Sequence, residues 1–356
     1  MEKTQFCGSY LPDDVLFLLK PISIPYTDLQ EKERSIQRKE KHYSEMISKE
    51  YLPSTQYKAV FHNLFTLNKK KLARHILALA NRLNEKTPFI LVSIARAGTP
   101  VGVLLKRVLR DIFKRNVSHY SISIIRDRGI DENALRYIVS QHAQEEKDIV
   151  FIDGWTGKGV IARELQQGVT AFNQKEGTCI TTALYVICDV GGYATVAATT
   201  EDYLIPSSLL NATINGLISR SILNDKYIGT HDFHGCRFYS EFHDEDLSLW
   251  YVDQLMAEIK AIETPYPYAT SVVREQSMTF INHLMTKYQV HDINLIKPGI
   301  GEAIRVLQRR VPDRILVQNK KSPEIIPFLI LAAEKKGYIE EMKNMPYQAV
   351  GIISRI

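Results

Sequence analysis

Little in this 356-residue sequence is suited to disulfides or to thiol-bound metal. Its four cysteines, Cys7, Cys179, Cys188 and Cys236, are scattered and form no Cys-x-x-Cys pair. That argues against a disulfide framework or a cysteine-ligated zinc, and fits reduced thiols in a cytoplasm. Long apolar runs are missing too. None approaches the ~20 residues that a spanning helix needs, so no membrane partner is expected. Residues 1–14 lack the apolar core of a secretory signal. Charge of one sign is also scarce: the formal net charge is +5 and the pI about 8.8. That permits an anionic ligand or RNA without requiring one. Two nucleotide loops are absent. Gly159 stands where a Walker loop needs Ser or Thr, and no G-x-G-x-x-G occurs.

What is present centres on Asp148 to Ala162, DIVFIDGWTGKGVIA. The apolar run Ile149–Ile152 predicts a buried strand. Asp153 follows, then the loop Gly154, Trp155, Thr156, Gly157, Lys158 and Gly159, then a helix start. This places the carboxylate where ligands bind in open α/β sheets. The loop's free N–H groups and the helix's positive end suit a phosphate. A plain tight turn is the alternative.

The same grammar recurs on either side. Apolar spacing over Leu67 to Leu83 predicts a helix. Phe89–Ile94 predicts a strand that runs into Ala95, Arg96, Ala97, Gly98, Thr99 and Pro100, with a helix over Val101 to Phe113. Arg96 could grip phosphate oxygens with two donors, or could be a surface arginine. Ser118–Ile125 predicts a strand ending at Arg126-Asp127-Arg128, with a helix from Glu132 to Gln144 capped by Asp131. Thr178–Ile187 predicts another strand, ending near Asp189, Gly191 and Gly192. Residues 60–192 therefore alternate helix and strand, which implies a mostly parallel sheet covered on both faces.

Further on, Gly229 to Cys236 gathers His231, Asp232, His234 and Cys236. Three readings stay open there: zinc held by the histidines and Asp232, a Cys236–His234 pair, or a polar loop lining the cleft. Helices are expected over Leu247–Ile262, ended by Pro265 and Pro267, and over Val272–Tyr288. Cys7 and Cys188 are further candidate nucleophiles. The expected organisation is an arm over 1–55, an α/β domain over 56–290 and a small α/β module over 291–356. That module holds eleven Lys or Arg against seven Asp or Glu, most of the chain's positive excess.

The apolar strand, Asp153 and the T-G-x-G turn resemble the phosphoribosyl-diphosphate (PRPP) loop of type I phosphoribosyltransferases, a Rossmann-like fold. Gly154 stands where that family usually has a second acid. Residues 95–98 resemble its pyrophosphate loop. The Arg126 and Arg128 turn falls where the family carries its mobile catalytic loop. The resemblance implies a glycosyltransferase with Asp153 holding ribose hydroxyls and, with Mg²⁺, the pyrophosphate. It also implies phosphate contacts from residues 95–98 and 154–159, base contacts near Asp189, His231, Asp232 and His234, and a homodimer. The tail, with its K-P-G-I-G turn and P-Y-x-A-V-G-I ending, resembles pelota-type RNA-binding domains, with Lys297, Gly299, Gly301 and Arg305 at the matching positions. The two-part order resembles a bacterial family met in tellurium-resistance and stress gene clusters. That family has been read as acting on a ribonucleoside and also carries a cysteine-protease name. Two further readings therefore stand beside a PRPP or ribonucleotide enzyme: a cysteine-dependent hydrolase, and a nucleotide- or RNA-binding regulator without turnover.

Overall fold

The computed structural model describes residues 6–85, 89–142, 148–263, 274–309, 312–334 and 338–354. In chain order the arm gives β1 (Leu16–Phe17), β2 (Lys20–Pro21) and α1 (Leu29–Gln37). The core continues as α2 (Thr55–Asn84), β3 (Ile90–Ile94), α3 (Thr99–Asp111), β4 (His119–Ile122), β5 (Ile124–Ile125), β6 (Gly129–Ile130), α4 (Glu132–Gln141), β7 (Ile149–Thr156), α5 (Val160–Glu176), β8 (Leu184–Asp189), β9 (Val196–Thr199), β10 (Gly235–Cys236) and α6 (Ser248–Lys260). The tail gives α7 (Arg274–Lys287), β11 (Ile296–Pro298), α8 (Ile300–Arg309), β12 (Pro312–Val317), α9 (Ile325–Glu334), β13 (Tyr338–Glu341) and β14 (Ala349–Ile353).

Six strands form one parallel sheet in the order β1-β4-β3-β7-β8-β9. The expected mostly parallel α/β sheet is therefore present. Strand β3 is buried along its whole length, as a strand covered on both faces must be. Helices α2, α3 and α6 pack together against one face, and α4 and α5 cover the other. Leu72, Ile76, Leu79 and Leu83 of α2 are all buried, as their spacing predicts. Each such side chain contributes about 1.5–3 kcal/mol by leaving water. Helix α2 starts earlier than its apolar spacing suggests, because Ser54 caps it by accepting from the Tyr57 N–H at 3.2 Å.

The arm is tied into this sheet. Leu16 and Phe17 pair with Tyr120 and Ser121, making β1 an edge strand. Just before it, the buried Asp14 carboxylate takes Nε and Nη2 of Arg107 at 2.7 and 2.6 Å. The tail forms a four-stranded sheet, β11-β14-β12-β13, with α8 packed against β14. It docks through Asp202, whose carboxylate accepts from the N–H groups of Ile300 and Gln348. Pro265, Pro267 and the first two residues of the expected Val272 helix lie outside the described residues, as do Gln144 and Gly337.

Candidate active site and interdomain cleft

Strand β7 runs four residues further than its apolar stretch suggests. Trp155 and Thr156 are still in register with Cys188 and Asp189 of β8. Asp153 to Thr156 are therefore strand, and the turn is only Gly157 to Gly159. Gly159 has φ +71°, and a Cβ there would meet the Tyr193 ring at 2.3 Å, so this position needs glycine. At the neighbouring turn, a Cβ on Gly98 would lie 2.4 Å from the Ile152 carbonyl. Glycine there lets the start of α3 approach β7. The Ala95–Arg96 peptide is cis.

These two turns face α8 and β11 across a cavity of about 330 Å³. One wall carries Ala95, Arg96, Ala97, Arg126, Asp153, Trp155, Thr156 and the 157–159 turn. Lys297, Glu302 and Arg305 stand on the other, with Arg220 also on the lining. The Trp155 indole N–H donates to Glu302 at 3.2 Å, and the Arg305 guanidinium lies 4.5 Å over the indole ring. Asp153 accepts from the Gly154 N–H at 2.7 Å. Burial pushes its carboxyl up to about 7, against the pull of that N–H and of Arg305. Lys158 is buried and donates to the Ile293 carbonyl at 2.6 Å. Burial, with the Lys297 charge nearby, brings its amine down to about 7. Burial thus shifts both the acid and the amine on this cavity toward their neutral forms.

Other expected residues are committed elsewhere. The Thr156 hydroxyl donates to Asp189, and Asp189 also accepts from the Tyr193 and Ala194 N–H groups. Asp189 thus shapes the turn after β8. Arg128 turns to the arm and pairs with Glu45 at 2.8 Å. Arg126 pairs with its neighbour Asp127 and lies over the Tyr43 ring. His231 is exposed, and Asp232 takes Lys20 at 2.7 Å. The His234 ring bonds Ser123 at 2.8 Å, and its backbone N–H donates to Asp131. None of these three lines the cavity, and no group of three or more metal-type ligands occurs among the described residues. Gly299 (φ +94°) packs on Asp202, and Gly301 on Ser208 and Trp155, so the tail's glycine turn faces the first domain. Lys297 and Arg305 reach the cleft.

Local patterns gave no sign of Glu50, Asn211 and Arg220. Arg96 donates to the Ile218 carbonyl at 2.6 Å, to Glu50 at 2.8 Å and to Asn211 at 3.4 Å. Arg220 donates to the carbonyls of Tyr43 and Met46. Glu50 lies 46 residues from Arg96 in sequence and the other partners more than 100 from theirs, which leaves no short-range signal.

The thiols differ sharply. Cys188 and Cys236 are 2% and 0% exposed, and burial raises both. Cys179 is exposed but precedes β8, at the sheet's N-terminal edge, away from the cleft. Cys7 is partly exposed. Its turn is tied to the strap over residues 212–219, through Ser9 N–H to the Gly216 carbonyl at 3.1 Å and Tyr10 O–H to the Ile214 carbonyl at 3.2 Å. The same strap holds Arg96 through Ile218.

Residues 8–256 match the family model described as tellurite-like stress resistance cysteine protease StiP. Residues 275–355 match the PELOTA RNA binding domain. A relative from Acinetobacter baylyi, named cysteine protease StiP, is 37% identical over 374 aligned positions, covering 99% of this chain and 96% of the relative. These findings correct the glycosyltransferase expectation, because the names attached to the matched family and the relative are those of a hydrolase. The geometry gives a physical reason for the correction. Asp153 has no second acid beside it, its carboxyl is half neutral near pH 7, and the Thr156 and Lys158 side chains are already bonded within the protein.

Proposed function

We propose that this chain, which belongs to the StiP family, is a thiol-dependent hydrolase of the response to tellurite-like stress, with Cys7 as its nucleophile. The observation that carries the choice of Cys7 is its placement. It is the thiol that is both accessible and fixed to the strap at the cleft side of the sheet. The thiolate would add to a peptide carbonyl, expel the amine and leave a thioester for water to cleave. Burial pushes the Cys7 thiol up, and the Asp14 charge adds to this. The resting form is therefore the thiol, and its reactivity should rise with pH. The relative's name and the family description support the hydrolase class. Alkylation by iodoacetamide tests the assignment. Labelling of Cys7 should run in step with loss of hydrolysis, and loss of hydrolysis with Cys7 unlabelled would refute it.

RNA is the partner we propose for the C-terminal domain. Its support is the pelota match and the placement of Lys297 and Arg305 on the cleft wall. Binding to single-stranded RNA should weaken steeply with salt, since phosphate contacts release counterions. Replacing both residues by alanine should lower the slope of that dependence.

A further inference from the structure

A second and larger cavity, about 950 Å³, lies beside the cleft and shares Arg96, Arg126 and Arg220 with it. Its other side is made by the arm and the first turn of α2, from Tyr26 to Tyr57. The volume is at the upper end of the ~300–1,000 Å³ usual for ligand pockets. Five cationic side chains line it against three carboxylates. The aromatic rings of Tyr51, Tyr57 and Phe242 and the apolar Ile36 and Leu209 supply the rest of its character.

One carboxylate already occupies the polar end. Glu50 places Oε1 2.8 Å from Arg96 and Oε2 3.2 Å from the Ala212 N–H. Arg96 is itself 9% exposed and is aimed by the Ile218 carbonyl and by Asn211. This is a built carboxylate receptor: one guanidinium and one backbone N–H, both preset by other contacts. The segment that delivers Glu50 is held lightly. Residues 48–54 form no strand or helix, and the adjoining Tyr51 and Leu52 are 75% and 42% exposed. The two other arginines at this end do not compete for Glu50. Arg126 pairs with Asp127, and Arg220 is taken by the carbonyls of Tyr43 and Met46.

We propose that this cavity is a binding site for an organic acid with an aromatic or apolar body, and that Glu50 is the internal occupant which the acid's carboxylate displaces from Arg96 and the Ala212 N–H. The body of the ligand lies against Tyr57, Phe242 and Leu209. The site does not depend on the hydrolase reading, and its test reads binding alone.

The test titrates 3-phenylpropionate into the full chain by calorimetry, with 3-phenylpropanamide as the uncharged control. Glu50→Gln should bind the acid about tenfold or more tighter than wild type, because the internal competitor for a charge-assisted bond is gone. Glu50→Asp retracts the carboxylate by one methylene and should fall between the two. It also keeps the test readable should Glu50→Gln fail to fold. The amide should gain nothing from either change. Equal affinity of wild type and variant for the acid would overturn the proposal. So would binding of the amide as tight as that of the acid, or no binding by a variant whose melting curve matches wild type.

Discussion

Asp14 sits at 0% exposure, and its partner Arg107 is buried with it. Truncating one member of such a pair strands the other where water cannot reach it. Asp14→Ala should therefore cost about 3 kcal/mol or more. The urea midpoint should fall with the slope unchanged, and a loss below about 1 kcal/mol would show that Asp253, 2.6 Å from Arg107, suffices alone. Gly98→Ala makes a different demand. The new methyl would meet the Ile152 carbonyl at 2.4 Å, so α3 must shift away from β7. A loss of about 1–3 kcal/mol is expected in the same assay, and a neutral result would mean that this close approach is not held rigidly. Gly98, Arg96 and Asp153 were visible in the sequence because each follows closely on an apolar run. It left Glu50 and Arg220 invisible, because they are joined to the site only by the fold.

Strands and helices were easier to read than their ends. The covered sheet and α2, α3, α5 and α6 followed from runs and spacing. The stop of β7 did not, because Asp153 and Gly154 look like turn residues while their ladder to β8 continues through Thr156. Edge strand β1 falls in a stretch, residues 11–19, that reads equally as helix or strand, and edge strand β9, only four residues long, left no pattern. The start of α8 shows how an element can carry a pH response. Asp202 accepts from Ile300 and Gln348 at this junction, and burial pushes its carboxyl up to about 7. Unfolded, it would lose its proton near the ordinary value of about 3.9. Between those values the folded state holds more protons than the unfolded one, so this contribution to stability declines as pH rises from about 4 to about 7. Asp202→Asn should remove up to about 1.4 kcal/mol per pH unit of that decline in melts between pH 4.5 and 6.5. An unchanged slope would mean that Asp202 is already ionised there.

At the scale of the whole molecule, the arm, the sheet and the tail converge on one edge. The sheet's C-terminal ends supply Arg96, Asp153 and the 157–159 turn. The tail adds Lys297 and Arg305, and the arm supplies Glu50, Tyr43 and the turn of Cys7. The parallel sheet and the position of its turns were legible from sequence. The chemistry was not, because the two strand-end turns resemble a sugar-phosphate site while their Thr156 and Lys158 side chains are spent on internal bonds. Cys7 lies more than 100 residues from the strap that fixes it, so its environment appears only in three dimensions. The central claim is that hydrolysis runs through this thiol. The most direct measurement is the rate of hydrolysis of fluorescently labelled casein by wild type, by Cys7→Ser and by a Cys179→Ser control, all with matching melting curves. The account predicts a loss of at least about 10³-fold in Cys7→Ser alone, as expected when a nucleophile is removed. Wild-type turnover by Cys7→Ser, or no hydrolysis by the wild-type chain, would contradict it.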